Sequence, residues 1–101
     1  MPSFSNSESL ELDSTNVINS FERGYRIQVL ISQDENELTI IKNKLENSIN
    51  KKIYIIFELP NYKLRIGNFI NRKEAENFQK KIVKLGYRTA WVVPTIIETD
   101  I

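Results

Sequence analysis

Two stretches of this sequence are imperfect copies of each other, and that repeat limits the folds open to the chain more than any other feature. At an offset of 37 residues, Tyr25, Arg26, Ile27, Gln28 and Val29 fall on Tyr62, Lys63, Leu64, Arg65 and Ile66, while Leu38, Ile41 and Leu45 fall on Ala75, Phe78 and Ile82. The first group alternates, as a strand with one buried face does, and the second recurs at the spacing of a helix stripe. A chain of 101 residues has room for one modest core. Both copies must therefore share it.

Each copy can be read element by element. Tyr25 to Ile31, rich in β-branched and aromatic residues, predicts a strand with Tyr25, Ile27, Val29 and Ile31 on one face and Arg26, Gln28 and Leu30 on the other. Ser32 followed by Glu35 fits a capping box, so a helix is expected to run to about Ile49, burying Leu38, Ile41, Leu45 and Ile49. Lys52 to Leu59 and Tyr62 to Gly67 predict two strands joined by a Pro60-Asn61 turn. Ile53, Ile55 and Phe57 point inward from the first and Tyr62, Leu64 and Ile66 from the second, leaving Tyr54, Ile56, Glu58, Lys63 and Arg65 outside. Asn71 with Glu74 starts a second helix whose stripe is Ala75, Phe78, Ile82 and Leu85, and Gly86 stops it. Arg88 to Val93 predicts a last strand with Thr89, Trp91 and Val93 on one face, ended by Pro94.

The order strand, helix, strand, strand, helix, strand describes an α+β domain of ferredoxin-like (RNP-like) form. This βαββαβ arrangement is a four-stranded antiparallel sheet with two helices on one face. The opposite face of the sheet is bare.

The domain is expected over residues 24–94. Residues 1–23, rich in Ser, Asn and acidic groups, read as a flexible tail or linker, and residues 95–101 as a C-terminal tail. The overall charge of +1, from 14 basic and 13 acidic residues, conceals an uneven distribution. Between Gly24 and Pro94 there are 13 basic and 7 acidic residues, so the domain is mildly basic and its ends are acidic. The chain has no Cys and no His, which excludes disulfides, thiol nucleophiles, imidazole acid-base catalysis and the usual zinc sites. No apolar run approaches the roughly 18 residues needed to span a bilayer, and the N-terminus lacks a secretory signal pattern. Neither a cofactor nor a metal is expected. The candidate residues contain no nucleophile-base pair, carboxylate dyad or phosphate-cradling glycine loop, so an enzyme is not expected either.

The bare face carries Arg26, Gln28 and Leu30 from the first strand, Lys63 and Arg65 from the third, Tyr54 and Ile56 from the second and Trp91 from the fourth. Flat rings and an amide among cations suit a ligand with planar or apolar faces, hydroxyls and anionic groups. Single-stranded nucleic acid and a glycan both meet that description, and a partner peptide on the sheet or its edge is a third reading. The third strand, Lys63-Leu64-Arg65-Ile66-Gly67-Asn68-Phe69, supplies no outward ring of the kind on which RNA-recognition sheets stack bases.

Three of these stretches together resemble the SPOR domain, the sporulation-related repeat of bacterial cell-division and cell-wall proteins. They are Tyr25-Arg26-Ile27-Gln28-Val29, then Tyr62-Lys63-Leu64-Arg65-Ile66-Gly67-Asn68-Phe69, then Asn71-Arg72-Lys73-Glu74-Ala75-Glu76. Leu59-Pro60-Asn61-Tyr62-Lys63 is most similar to the Bacteroidetes form. The resemblance implies the same βαββαβ fold and a non-catalytic role: binding septal peptidoglycan, with preference for glycan strands stripped of stem peptides. It further implies a periplasmic or cell-envelope location, with no nucleic-acid partner and no membrane contact by this segment. A monomer is expected. Gln28 matches the family's first-strand glutamine, Lys63 and Arg65 its two basic third-strand positions, and Trp91 an apolar contact position in the fourth strand; Arg26 and Tyr54 complete the expected glycan-binding set. Where the family often has serine, three residues after the glutamine, this chain has Ile31, with Ser32 next to it.

Overall fold

The structure, a computed structural model, describes residues 19–100. Its elements are β1 (Asn19–Ser32), α1 (Glu35–Glu46), β2 (Ile53–Glu58), β3 (Asn61–Phe69), α2 (Arg72–Lys84) and β4 (Trp91–Asp100). The strands make one antiparallel sheet in the order β2-β3-β1-β4. The leading strand of each repeat is thus central, and Gln28 and Arg65, repeat equivalents, are direct partners in the β1–β3 ladder. The repeat's pseudo-twofold axis passes between them.

Alternation and helical spacing meet in a single core. Ile27 and Val29 of β1 and Leu64 and Ile66 of β3 pack against Leu38 and Leu45 of α1 and Ala75 and Ile82 of α2. Each fully buried Ile or Leu of this kind contributes about 1.5–3 kcal/mol. Both helices therefore lie on one face, as the pattern requires. Asn71 caps α2 as expected, accepting from the amides of Lys73 and Glu74 at 2.7 and 3.4 Å, and α2 ends ahead of Gly86.

Several local expectations are corrected. The N-cap of α1 is Asp34, which accepts from the Asn36 amide at 2.9 Å. Ser32 is instead the last residue of β1, and its hydroxyl accepts from the Asp34 amide and donates to Glu37. The helix stops at Glu46 rather than Ile49. Phe57 and Leu85, expected inward, are exposed, although Phe57 rests on Tyr62 with ring centroids 4.7 Å apart.

Two β-bulges break the alternation between β1 and β3. At the first, Val29 is an extra residue between the pairs Gln28↔Arg65 and Leu30↔Leu64. Leu30 consequently packs toward the core while Ile31 comes to the helix-free face opposite Lys63, the reverse of the expected orientation. At the second, two β3 residues, Gly67 and Asn68, oppose Arg26 between the pairs Ile27↔Ile66 and Tyr25↔Phe69. Gly67 has φ +84°, and a Cβ there would lie 2.9 Å from Phe69 Cζ, so the bulge depends on glycine.

The two strands β1 and β4 run further than the sequence pattern leads one to expect. β4 does not end at Pro94 but runs through it to Asp100. Proline is tolerated because β4 is an edge strand, where a missing N–H removes no ladder bond if that side faces away from the neighbour. Residues 19–23 and 95–100, read as tails, form a two-stranded ribbon with register Asn19↔Asp100 through Gly24↔Thr95. The tail reading for residues 1–18 and for Ile101 falls outside the described residues. The ribbon curls back toward the sheet. The Glu98 amide donates to Asn68 Oδ1 at 3.0 Å, and the Glu98 carboxylate accepts from the Tyr54 hydroxyl at 2.6 Å, joining β4 to β3 and β2, neither of which is its neighbour.

Candidate functional site

A row of side chains crosses all four strands on the helix-free face. The pairs Tyr54↔Arg65, Gln28↔Arg65 and Gln28↔Trp91 set Tyr54, Arg65, Gln28 and Trp91 side by side. Directly opposed residues in an antiparallel sheet share a face, so the register alone aligns them. The next row toward the β2–β3 turn is Ile56, Lys63 and Ile31.

Gln28 is only 5% exposed, while Trp91 beside it is 56% exposed. Arg65 Nε donates to Gln28 Oε1 at 3.1 Å. A guanidinium only donates, so this bond orients the amide with its oxygen toward Arg65 and its NH2 as the other end. Arg65 keeps the two terminal NH2 groups of its guanidinium as further donors. Gln28, Leu30, Ile31, Thr89 and Trp91 line a shallow groove of about 300 Å³. Thr89 stabilises its wall: its hydroxyl donates at 2.7 Å to the carbonyl of Val29, the bulged residue. Ile31, half exposed at 50%, supplies apolar surface facing Trp91 across the groove. Ser32, by contrast, is engaged in the turn before α1.

Lys63 and Glu58 lie diagonally across the hairpin, and the Lys63 ammonium forms an ion pair with the Glu58 carboxylate. The hydrogen bond and charge of Lys63, with the charge of Arg65 further off, hold the Glu58 carboxyl below its ordinary value.

The remaining two expected contacts are differently placed. Arg26 is 8% exposed, with its guanidinium 3.9 Å above the Tyr54 ring. Its Nε donates to the Gly67 carbonyl at 3.2 Å and its terminal nitrogen to Asn68 Oδ1 at 2.9 Å. The Tyr54 hydroxyl accepts from Asn68 Nδ2 at 2.7 Å as it donates to Glu98. Lys52 reaches the same carboxylate at 3.2 Å. The Tyr54 hydrogen bond, followed by the Lys52 hydrogen bond, holds the Glu98 carboxyl below its ordinary value. Arg26 and Tyr54 are thus members of a clasp that pins the ribbon to the sheet. The structure brings Gln28, Arg65 and Trp91 together, with Lys63 one row away, and engages Arg26 and Tyr54 in the clasp at the other end of the face.

Sequence reasoning missed the part played by Ile31, since Val29, Leu30 and Ile31 are all apolar and nothing in their order marks the bulge. Thr89, expected on the Trp91 face of a strand beginning at Arg88, instead lies in the turn ahead of β4 and reaches the groove from there. Among the described residues, no cluster of His, Cys, Asp and Glu could hold a metal ion.

The model of the SPOR domain family matches residues 22–94. The chain belongs to the SPOR domain family. No curated protein and no solved structure gives a significant match. SPOR domains are non-catalytic binding domains that generally bind peptidoglycan in cell division. The matched segment contains the entire Tyr54-Arg65-Gln28-Trp91 row and the groove, whereas Glu98 lies beyond it. In this SPOR domain the clasp is therefore made with a residue outside the segment that defines the family match. No described helix is long and apolar enough to cross a membrane.

Proposed function

We propose that the groove between Trp91 and Ile31 binds peptidoglycan glycan strands that lack stem peptides, at the division septum in the periplasm or cell envelope. The observation that carries this reading is an exposed tryptophan directly beside a nearly buried, hydrogen-bond-oriented glutamine in a groove on the helix-free face. Trp91 offers a flat apolar surface to a sugar ring. The Gln28 NH2 donates to an N-acetyl carbonyl or a hydroxyl, and Thr89 and Ile31 close the groove against water. Arg65 and Lys63 meet lactyl carboxylates through charge-assisted bonds. A strand without stem peptides presents those carboxylates free, while an attached peptide converts them to amides and obstructs so shallow a groove. Recognition is passive: no bond is made or broken.

A pull-down with purified sacculi, before and after amidase treatment, tests this reading. Amidase treatment should increase capture of the wild type, and Gln28→Ala and Trp91→Ala should each reduce it, with folding of both variants verified by circular dichroism. Unchanged capture by both variants would move the site off the sheet. Equal capture of treated and untreated sacculi by the wild type would refute the carboxylate argument.

A further inference from the structure

The cationic side of the proposed site is already occupied by an anion from the protein itself. Lys63 holds the Glu58 carboxylate, and Arg65 lies near enough to act on the same carboxyl. The placement follows from the hairpin. Glu58 ends β2 opposite Asn61, and Lys63 lies two residues further along β3, so the two side chains are diagonal neighbours on the helix-free face, the face of Ile56 and Tyr54. Lys63 is only 23% exposed in its side chain while Glu58 is 53% exposed, so the ammonium is the anchored partner and the carboxylate the one able to swing into water.

We infer that Glu58 is a specificity-determining residue which occupies the Lys63 ammonium in place of ligand and must be displaced by an incoming carboxylate. This rests on the glycan reading above and extends it. A neutral sugar stacked on Trp91 and bonded to Gln28 leaves the Glu58–Lys63 pair intact. A saccharide carrying a lactyl carboxylate replaces one ion pair by another, so its charge adds less affinity than an unpaired lysine would allow. Glu58 therefore lowers the advantage of charged over neutral strands, and removing its charge raises it. Exposed ion pairs are weak, so the expected size is modest: roughly two- to fivefold in the dissociation constant.

The test compares two probes of similar backbone by isothermal titration or fluorescence of Trp91. One is a chitin hexasaccharide, which has no carboxylate. The other is a denuded peptidoglycan hexasaccharide, which has lactyl carboxylates on alternate sugars. Glu58→Gln should tighten binding of the denuded probe by roughly two- to fivefold and leave the chitin probe unchanged. In the double variant Glu58→Gln with Lys63→Gln, the gain should disappear. Equal tightening of both probes, or no tightening of the denuded one while the wild type binds it, would overturn the role of Glu58 alone. Binding of neither probe by the wild type would overturn the glycan reading and this inference together.

Discussion

The two ends of the helix-free face are made of similar residue types and serve different purposes. At one end, Arg26, Tyr54, Asn68 and Glu98 form a closed network in which the cation stacks on the ring, the hydroxyl both donates and accepts, and the carboxylate receives a phenol and an ammonium. At the other, Arg65 donates to Gln28 across the pseudo-twofold axis, and Trp91 stands open beside them. Tyr54 and Trp91 are the two ends of a single row. What separates them is the curled ribbon, which covers the first and not the second. An aromatic or cationic residue on a bare sheet becomes a binding residue only if its surface and hydrogen-bonding capacity are not already used by its own fold.

That contrast can be broken most forcefully at Gly24, over which the ribbon turns. A Cβ at this position would collide with the fully buried Ile97 side chain and lie 2.5 Å from the Phe69 carbonyl oxygen. Gly24→Ala should cost about 1–3 kcal/mol or more, as overpacking does, measured by urea unfolding. At the open end, Trp91→Ala should weaken binding of denuded glycan by about tenfold or more, as loss of an aromatic hot spot does, with the urea midpoint nearly unchanged. Tyr54→Phe should show the opposite profile. It keeps the ring under Arg26 but removes the hydroxyl shared by Asn68 and Glu98, which should cost about 1–2 kcal/mol of stability while glycan affinity stays that of the wild type.

The smallest expected effect concerns pH. The Glu58 and Glu98 carboxyls both titrate below their ordinary value of 4.5 in the folded protein. A carboxyl depressed by folding contributes stability at pH above its unfolded value, and that contribution is lost as pH falls through its folded value. The urea midpoint should therefore be insensitive to these groups above about pH 5 and decline below it. Glu98→Gln should make that acid decline shallower without altering glycan binding at neutral pH.

The legible parts of the fold were those in which local pattern and burial agree. Leu38 and Leu45, or Ala75 and Ile82, announce buried helix faces by spacing, and Ile27 with Ile66 announces the inner face of the sheet. The ribbon was not legible because Ile97 is buried while Phe21 and Ile96 are exposed, so no alternating apolar pattern marks its strands, and Pro94 reads as a terminator unless the strand is known to lie at an edge. Ile31 changed faces because a bulge is invisible where Val29, Leu30 and Ile31 are all apolar. In the site, Gln28, Lys63, Arg65 and Trp91 could be assigned to the helix-free face from alternation. The burial of Arg26 could not, since the groups that enclose it, Tyr54, Gly67 and Asn68, come from β2 and β3.

The most direct test of the division between the two ends is a nuclear magnetic resonance titration of the nitrogen-15-labelled protein with denuded glycan oligosaccharides. The Gln28 side-chain NH2, the Trp91 indole N–H and the amides of Ile31 and Thr89 should shift with saturation, while the amides of Asn68 and Glu98 stay in place. Shifts centred on Asn68 and Glu98, with the Trp91 indole unmoved, would contradict the account.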